Sequence, residues 1–124
     1  MHVITEAEAP RFALPGVTFT ALASPSRGAS GVCTWRLTVA PKLRSDQSHT
    51  LDRDEIFMVA AGAIQLAADG AVLRAGDAAV VPAGTPIELS NPAGEPAEVY
   101  VAIVAGFTAV MADGTALDTP PWAR

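Results

Sequence analysis

Glycine and proline set the first limit on what this chain can fold into. Ten of each are spread through 124 residues. Between them, stretches that alternate with the two-residue period of a strand recur about every ten residues. Residues 17–22 form the first such stretch. Residues 32–40 form the cleanest, with Cys33, Trp35, Leu37 and Val39 on one face and Thr34, Arg36 and Thr38 on the other. Pro41 breaks the pattern, and residues 42–50 continue in extended form. Residues 55–61 are apolar on both faces, which predicts a strand covered on both sides. Residues 64–68 and 71–74 flank Asp69-Gly70, a two-residue hairpin signal because both central positions need positive φ. Residues 78–81, 86–89 and 97–104 complete the set, separated by turns at Gly76-Asp77 and at residues 82–84 and 91–94. Residues 5–9 read as no more than a turn, and the tail 118–124 as irregular. No helix is expected. The chain reads as one all-β domain over residues 1–124, a sandwich or a barrel of many short strands.

Composition removes several classes of function. A net charge of −5 repels a phosphate backbone, so no nucleic-acid partner is expected. No polybasic patch suits an anionic membrane surface, and no stretch reaches the ~18 unbroken apolar residues of a membrane span. A single cysteine, Cys33, forms neither an internal disulfide nor a thiolate metal cluster. The first ten residues lack the basic stretch and apolar run of a secretory signal. A cytoplasmic protein is therefore expected. Half the residues are apolar but only 6% are aromatic, and 25 are alanine. Inward-facing alanines would leave space inside the fold.

Two segments carry the chemistry. Glu55 stands seven residues before Gly62, at the end of a strand entered from His49. Further on, Gly76, Pro82, Gly84 and Asn91 fall at fixed intervals around Ile87. These segments resemble the cupin family, whose first motif reads G-x5-H-x-H-x3or4-E-x6-G and whose second reads G-x5-P-x-G-x2-H-x3-N. The resemblance covers about residues 17–106. It implies a cupin antiparallel β-barrel of jelly-roll type with a small-molecule site inside. The glycines and the proline would set the turns between strands, where positive or fixed φ is needed.

The departures from the family pattern bear on function. Cupins that hold a metal usually do so with the two His and the Glu of the first motif and the His of the second. The last position is Ile87 here, which binds no metal. The first motif aligns in two registers: one puts Ser48 and Thr50 at the ligand positions, the other His49 and Leu51. Alternation favours the second. From Leu43 the odd positions read Leu43, Ser45, Gln47, His49, Leu51, whereas Arg44, Asp46, Ser48 and Thr50 are all polar and should face water. Two family ligands then survive, His49 and Glu55. A catalytic Zn²⁺ takes three protein ligands, and facial-triad Fe²⁺ takes two His and a carboxylate. The expectation is thus a site without a cofactor. The alternative is a divalent metal (Zn, Fe, Mn or Ni) held by His49 and Glu55 with an added oxygen from Gln47.

A carboxylate in an apolar interior should have a raised pKa. A His49–Glu55 pair would relieve the burial and make an acid–base couple. The pocket expected around it comprises Trp35, Gln47, Leu51, Phe57, Ile87 and Leu89. Cys33 reads as a small core residue, residues 52–54 as a solvated turn, and Trp122 as a hydrophobic clasp. The lead function is binding of a small organic ligand, with isomerase- or cyclase-type proton transfer by His49 and Glu55. A dioxygenase-like metal enzyme with a reduced ligand set and a non-catalytic sensor are the alternatives. The second apolar face of residues 55–61 needs a cover, which predicts a homodimer.

Overall fold

Eleven strands and two short 3-10 turns make up the fold, and the computed structural model describes every residue from Met1 to Arg124. In chain order the strands are β1 (Arg11–Leu14), β2 (Val17–Ala21), β3 (Val32–Val39), β4 (His49–Leu51), β5 (Glu55–Ala61), β6 (Ala63–Ile64), β7 (Leu73–Arg74), β8 (Ala78–Val81), β9 (Ala97–Val104), β10 (Ala109–Met111) and β11 (Ala116–Leu117). One antiparallel sheet runs β1-β2-β3-β9-β5-β8. The second layer runs β11-β10-β4. It continues through single bridges, His49 to Ile87 and Ser90 to Gln65, towards the β6-β7 pair. The layers do not close into a hydrogen-bonded ring, so the expected barrel is an open jelly roll.

The large sheet is built on the alternation read from residues 32–40. Cys33, Trp35, Leu37 and Val39 are buried, and β9 mirrors them with Ala97, Val99, Val101 and Ile103. Register puts Cys33, Ile103, Glu55 and Val81 in one inward row, and Trp35, Val101, Phe57 and Ala79 in the next. Sixteen buried residues form one cluster between the layers, closed from the second layer by Leu51, Ile64, Ile87 and Phe107. Burial of such side chains stabilises by about 1.5–3 kcal/mol each.

Local chemistry explains the turns that the motifs mark. Gly62 has φ 75° and follows a bulge in the β5–β9 pairing. A Cβ there would lie 2.6 Å from the Pro96 carbonyl oxygen and 2.8 Å from Ala97 Cα, so only glycine fits. Asn91 is buried and works as a three-way tie. Its amide donates to the carbonyls of Val39 and Glu95 at 3.2 and 2.8 Å, and its side-chain oxygen accepts the Ala93 N–H at 2.9 Å.

Several expectations need correction. The hairpin at Asp69-Gly70 is shorter in its strands and longer in its loop: only Ala63–Ile64 pairs with Leu73–Arg74. Gly70 is not among the positive-φ residues. The reason is that Gln65 is bridged to Ser90 and its amide donates to the Gly70 carbonyl at 2.8 Å, which folds the loop inward on itself. Residues 42–50 and 86–89 contribute bridges rather than long strands, with only His49–Leu51 regular. Strand β5 is covered on one face alone. Phe57 and Val59 are buried, whereas Ile56 and Met58 are 37% and 40% exposed, because no segment of this chain crosses the outer face of the sheet there. Strands β1, β10 and β11 went unanticipated, and the tail ends in a 3-10 turn, Pro121–Ala123.

Candidate functional site

Glu55 opens β5 from the inward row, where Ile103 and Val81 flank it in register. Asp52 and Asp54 hold the turn before it, accepting the backbone N–H of Thr108 at 2.8 Å and of Ala83 at 3.0 Å. These anchors fix the start of the strand, with Glu55 on its inward face. Its side chain is 5% exposed, and Oε2 is sealed from solvent with no hydrogen-bond partner. Burial pushes the carboxyl pKa up to about 8. At neutral pH Glu55 is an uncharged carboxylic acid.

His49 sits on β4 in the opposite layer. Its backbone N–H donates to the Ile87 carbonyl at 3.2 Å, and the Ile87 N–H returns a bond of 2.8 Å. Leu51, two residues on, is buried in the central cluster, which places the His49 side of β4 towards the interior. The imidazole is half-buried, and burial holds its pKa below the ordinary value, so it too is uncharged at neutral pH. No hydrogen bond or ion pair joins His49 to Glu55; the four salt bridges all lie elsewhere. The acid–base pair expected from the sequence is therefore two separate neutral groups in facing layers.

Of the expected pocket residues, Trp35, Phe57, Leu51 and Ile87 come together in the buried cluster, and Leu89 packs half-buried at its edge. Gln47 does not join them. It is exposed, because Ser45 Oγ accepts its N–H at 3.2 Å and donates to its carbonyl at 2.9 Å, turning the backbone outward before β4 begins. The extra oxygen invoked for a metal is therefore lost.

Sequence reasoning missed Phe107 and Ala123, which close the interior beside Trp122, the expected clasp. Phe107 is buried and stacks on Trp35, ring centroids 6.0 Å apart. Trp122 stacks on Phe19 at 3.8 Å, and Ala123 enters the core, where its carbonyl accepts the Cys33 thiol at 3.1 Å. In a chain with four Phe and two Trp, an aromatic directly after Gly106 was the available signal.

The donor set does not fit a divalent ion. Nowhere do three His, Cys, Asp or Glu side chains converge. Leu51 and Ile87 fill ligand positions with hydrocarbon, which leaves His49 and Glu55 short of the three protein ligands that a divalent site takes.

Comparison with known proteins bears on the family and the fold. The sequence matches the family described as Cupin domain over residues 35–122. No curated protein matches it. Among solved structures it is similar to the polyketide cyclase RemF from Streptomyces resistomycificus, at 16% identity and TM-score 0.74, covering 84% of this chain and 79% of that one. A sugar phosphate isomerase of the cupin superfamily from Silicibacter pomeroyi aligns at 23% identity and TM-score 0.65, covering 89% and 81%. An acetylacetone dioxygenase from Acinetobacter johnsonii aligns at 13% identity and TM-score 0.71, covering 97% and 83%. At such identities the likeness is one of fold. The family match spans more than two thirds of the sequence and agrees with the open jelly roll, the turn glycines and the buried Asn91: the chain belongs to the cupin family.

Proposed function

We propose that the interior of this cupin binds a small, partly apolar organic molecule without a metal and moves a proton on it, in an isomerase- or cyclase-type reaction. The observation that carries this reading is Glu55, a carboxyl buried beside an apolar cluster with Oε2 unpartnered, which favours its uncharged form. A carboxylic acid that still holds its proton at pH 7 is a general acid in waiting, and a neutral imidazole is a competent base. With the ligand between the layers, His49 takes one proton from it and Glu55 delivers one, so the ligand is rearranged without change of composition. That a cyclase and an isomerase are among the structural neighbours is in keeping with this, though their likeness is one of fold. A buried, unpaired Cys33 is in keeping with a reducing, cytoplasmic setting.

The test is isotope exchange. A ligand found by thermal-shift screening in the presence of EDTA is incubated in D₂O and followed by ¹H NMR. Deuterium should enter one ligand C–H position, and Glu55→Gln or His49→Gln should slow that entry by about 10²-fold or more. Tight binding without exchange would make the chain a binding or sensor protein. Binding that EDTA abolishes would contradict the metal-free reading.

We also propose that the functional form is a homodimer through the outer face of the large sheet. Val32 and Val104, Ile56 and Val80, and Met58 and Tyr100 are cross-strand neighbours there, and all six are exposed. Four strands at ~4.8 Å spacing and up to eight residues long present roughly 500 Å² in projection, and side-chain relief takes this towards the ~800 Å² per partner of a standard interface. The charges on this face are internally paired. Arg36 reaches Glu6 at 2.9 Å and Glu98 at 3.4 Å, so a second copy meets little repulsion despite the net charge. Light scattering at micromolar concentration should give twice the 12.7 kDa chain mass, and Met58→Glu should halve it. A monomeric parent protein would refute the interface.

A further inference from the structure

Four buried side-chain polar atoms in the chain lack a hydrogen-bond partner: Trp35 Nε1, Trp122 Nε1, Glu55 Oε2 and Arg36 Nε. The last is on the outer face, 3.4 Å from a Glu98 oxygen, and is an ion pair. The other three share the inner side. Trp35 and Glu55 lie in adjacent inward rows of the large sheet, diagonal to each other across β9, and Trp122 stacks on inward-facing Phe19. Native interiors rarely leave such atoms unmatched, and the pair in neighbouring rows, Trp35 Nε1 and Glu55 Oε2, points to an absent partner; Trp122 lies apart, over β2. From this we propose that the interior site recognises an uncharged, planar carbonyl compound, whose oxygen accepts a hydrogen bond from Trp35 Nε1–H while its body packs between the Trp35–Phe107 stack and the apolar core. The proposal rests on the metal-free binding reading above and names the ligand class for it.

The chemistry of the two groups selects the class. An indole N–H only donates, so its partner must be an acceptor. A carbonyl oxygen accepts the indole N–H and carries no net charge for the apolar surroundings to offset. An anionic ligand would be buried among sixteen apolar residues without a cation, since no Lys or Arg is buried. A cationic ligand would satisfy Glu55 and leave Trp35 without an acceptor. The ring of Phe107, tilted 30° from that of Trp35, offers a flat wall that suits a conjugated ligand better than a saturated one.

The experiment uses ¹⁵N-labelled full-length protein and follows its two indole N–H signals, assigned with Trp122→Phe. The probes are 2-cyclohexen-1-one, cyclohexene, cyclohexylamine and cyclohexanecarboxylate. The enone should move the Trp35 signal downfield and bind more tightly than the other three. Trp35→Phe keeps a ring in place and should weaken enone binding about tenfold, the worth of one hydrogen bond. The indole signal of the unaltered protein keeps the test independent of how that variant folds. If enone and cyclohexene bind equally and the Trp35 signal stays still, the interior site stands and carbonyl recognition is refuted. An indole already hydrogen-bonded to trapped water, unmoved by bound enone, refutes it as well. If no probe binds, the underlying binding reading falls together with it.

Discussion

Replacing Glu55 with glutamine should stabilise the protein at neutral pH, by an amount that shrinks on acidification. The folded-state pKa of about 8 stands above the ordinary 4.5 of the carboxyl. A carboxyl whose folded pKa is raised favours the fold while it is protonated in both states. It opposes the fold progressively as pH rises from the unfolded value towards the folded one. At pH 7 the unfolded chain has released the proton and the folded chain still holds it. That mismatch of about 2.5 pKa units costs about 3 kcal/mol. At pH 4 both states are protonated and the cost is close to zero. Glutamine has nearly the same shape and no proton to lose, so Glu55→Gln should raise Tm by about 10 °C at pH 7 for a chain of this size and by very little at pH 4. His49 titrates in the opposite sense, because burial lowers its pKa and acid then destabilises. It is present in both proteins and cancels in the difference. Paired thermal scans from pH 4 to pH 8 read this directly. A variant less stable than the parent at both ends, or a difference that does not change with pH, would show that the carboxyl is well partnered and refute the desolvation argument.

Other consequences follow from particular contacts. Leu51→His with Ile87→His should raise Zn²⁺ or Ni²⁺ affinity by orders of magnitude, because His49 bridges Ile87 directly and shares a strand face with Leu51. The apo form should lose a few kcal/mol. The control, Ser48→His with Thr50→His and Ile87→His, should stay weak in calorimetry, and tight binding by the control alone would invert the register. Asn91→Ala removes three hydrogen bonds at once and should cost about 2–4 kcal/mol in urea unfolding; a loss under 1 kcal/mol would make the tie dispensable. Trp122→Ala unstacks Phe19 and loosens the tail over Cys33, so thiol labelling should accelerate. Unchanged labelling would mean that the tail does not shield the thiol.

The parts of the fold legible in the sequence were those fixed by local geometry. The alternation through Trp35 and Leu37 placed β3 correctly because one face is buried, and a one-residue slip would expose it all. Gly76 and Gly84 marked turns because they adopt positive φ. Tertiary context decided the rest. Asp69-Gly70 carries a hairpin signature, yet the bridge from Gln65 to Ser90 overrides it from a distance in sequence. Gln47 obeys the same alternation as His49 and still faces water, because a side-chain turn at Ser45 interrupts the strand. At the site, burial of Glu55 was foreseeable from its apolar neighbours. Its separation from His49 was not, since the two lie in different layers. Phe107 and Ala123 fill the interior from segments with no recognisable period, where only the folded chain reveals the packing, whereas Trp122 was legible as a clasp.

The central claim is that Glu55 is an uncharged acid inside a cupin without a resident metal. A ¹³C NMR titration of the Glu55 carboxyl, on protein as purified and again after chelator treatment, tests it most directly. The account predicts one midpoint near 8 in both samples, matching the effect of burial alone. A carboxyl that remains ionised down to acidic pH as purified, and whose midpoint rises once the chelator has acted, would identify a metal-bound carboxylate and contradict the account.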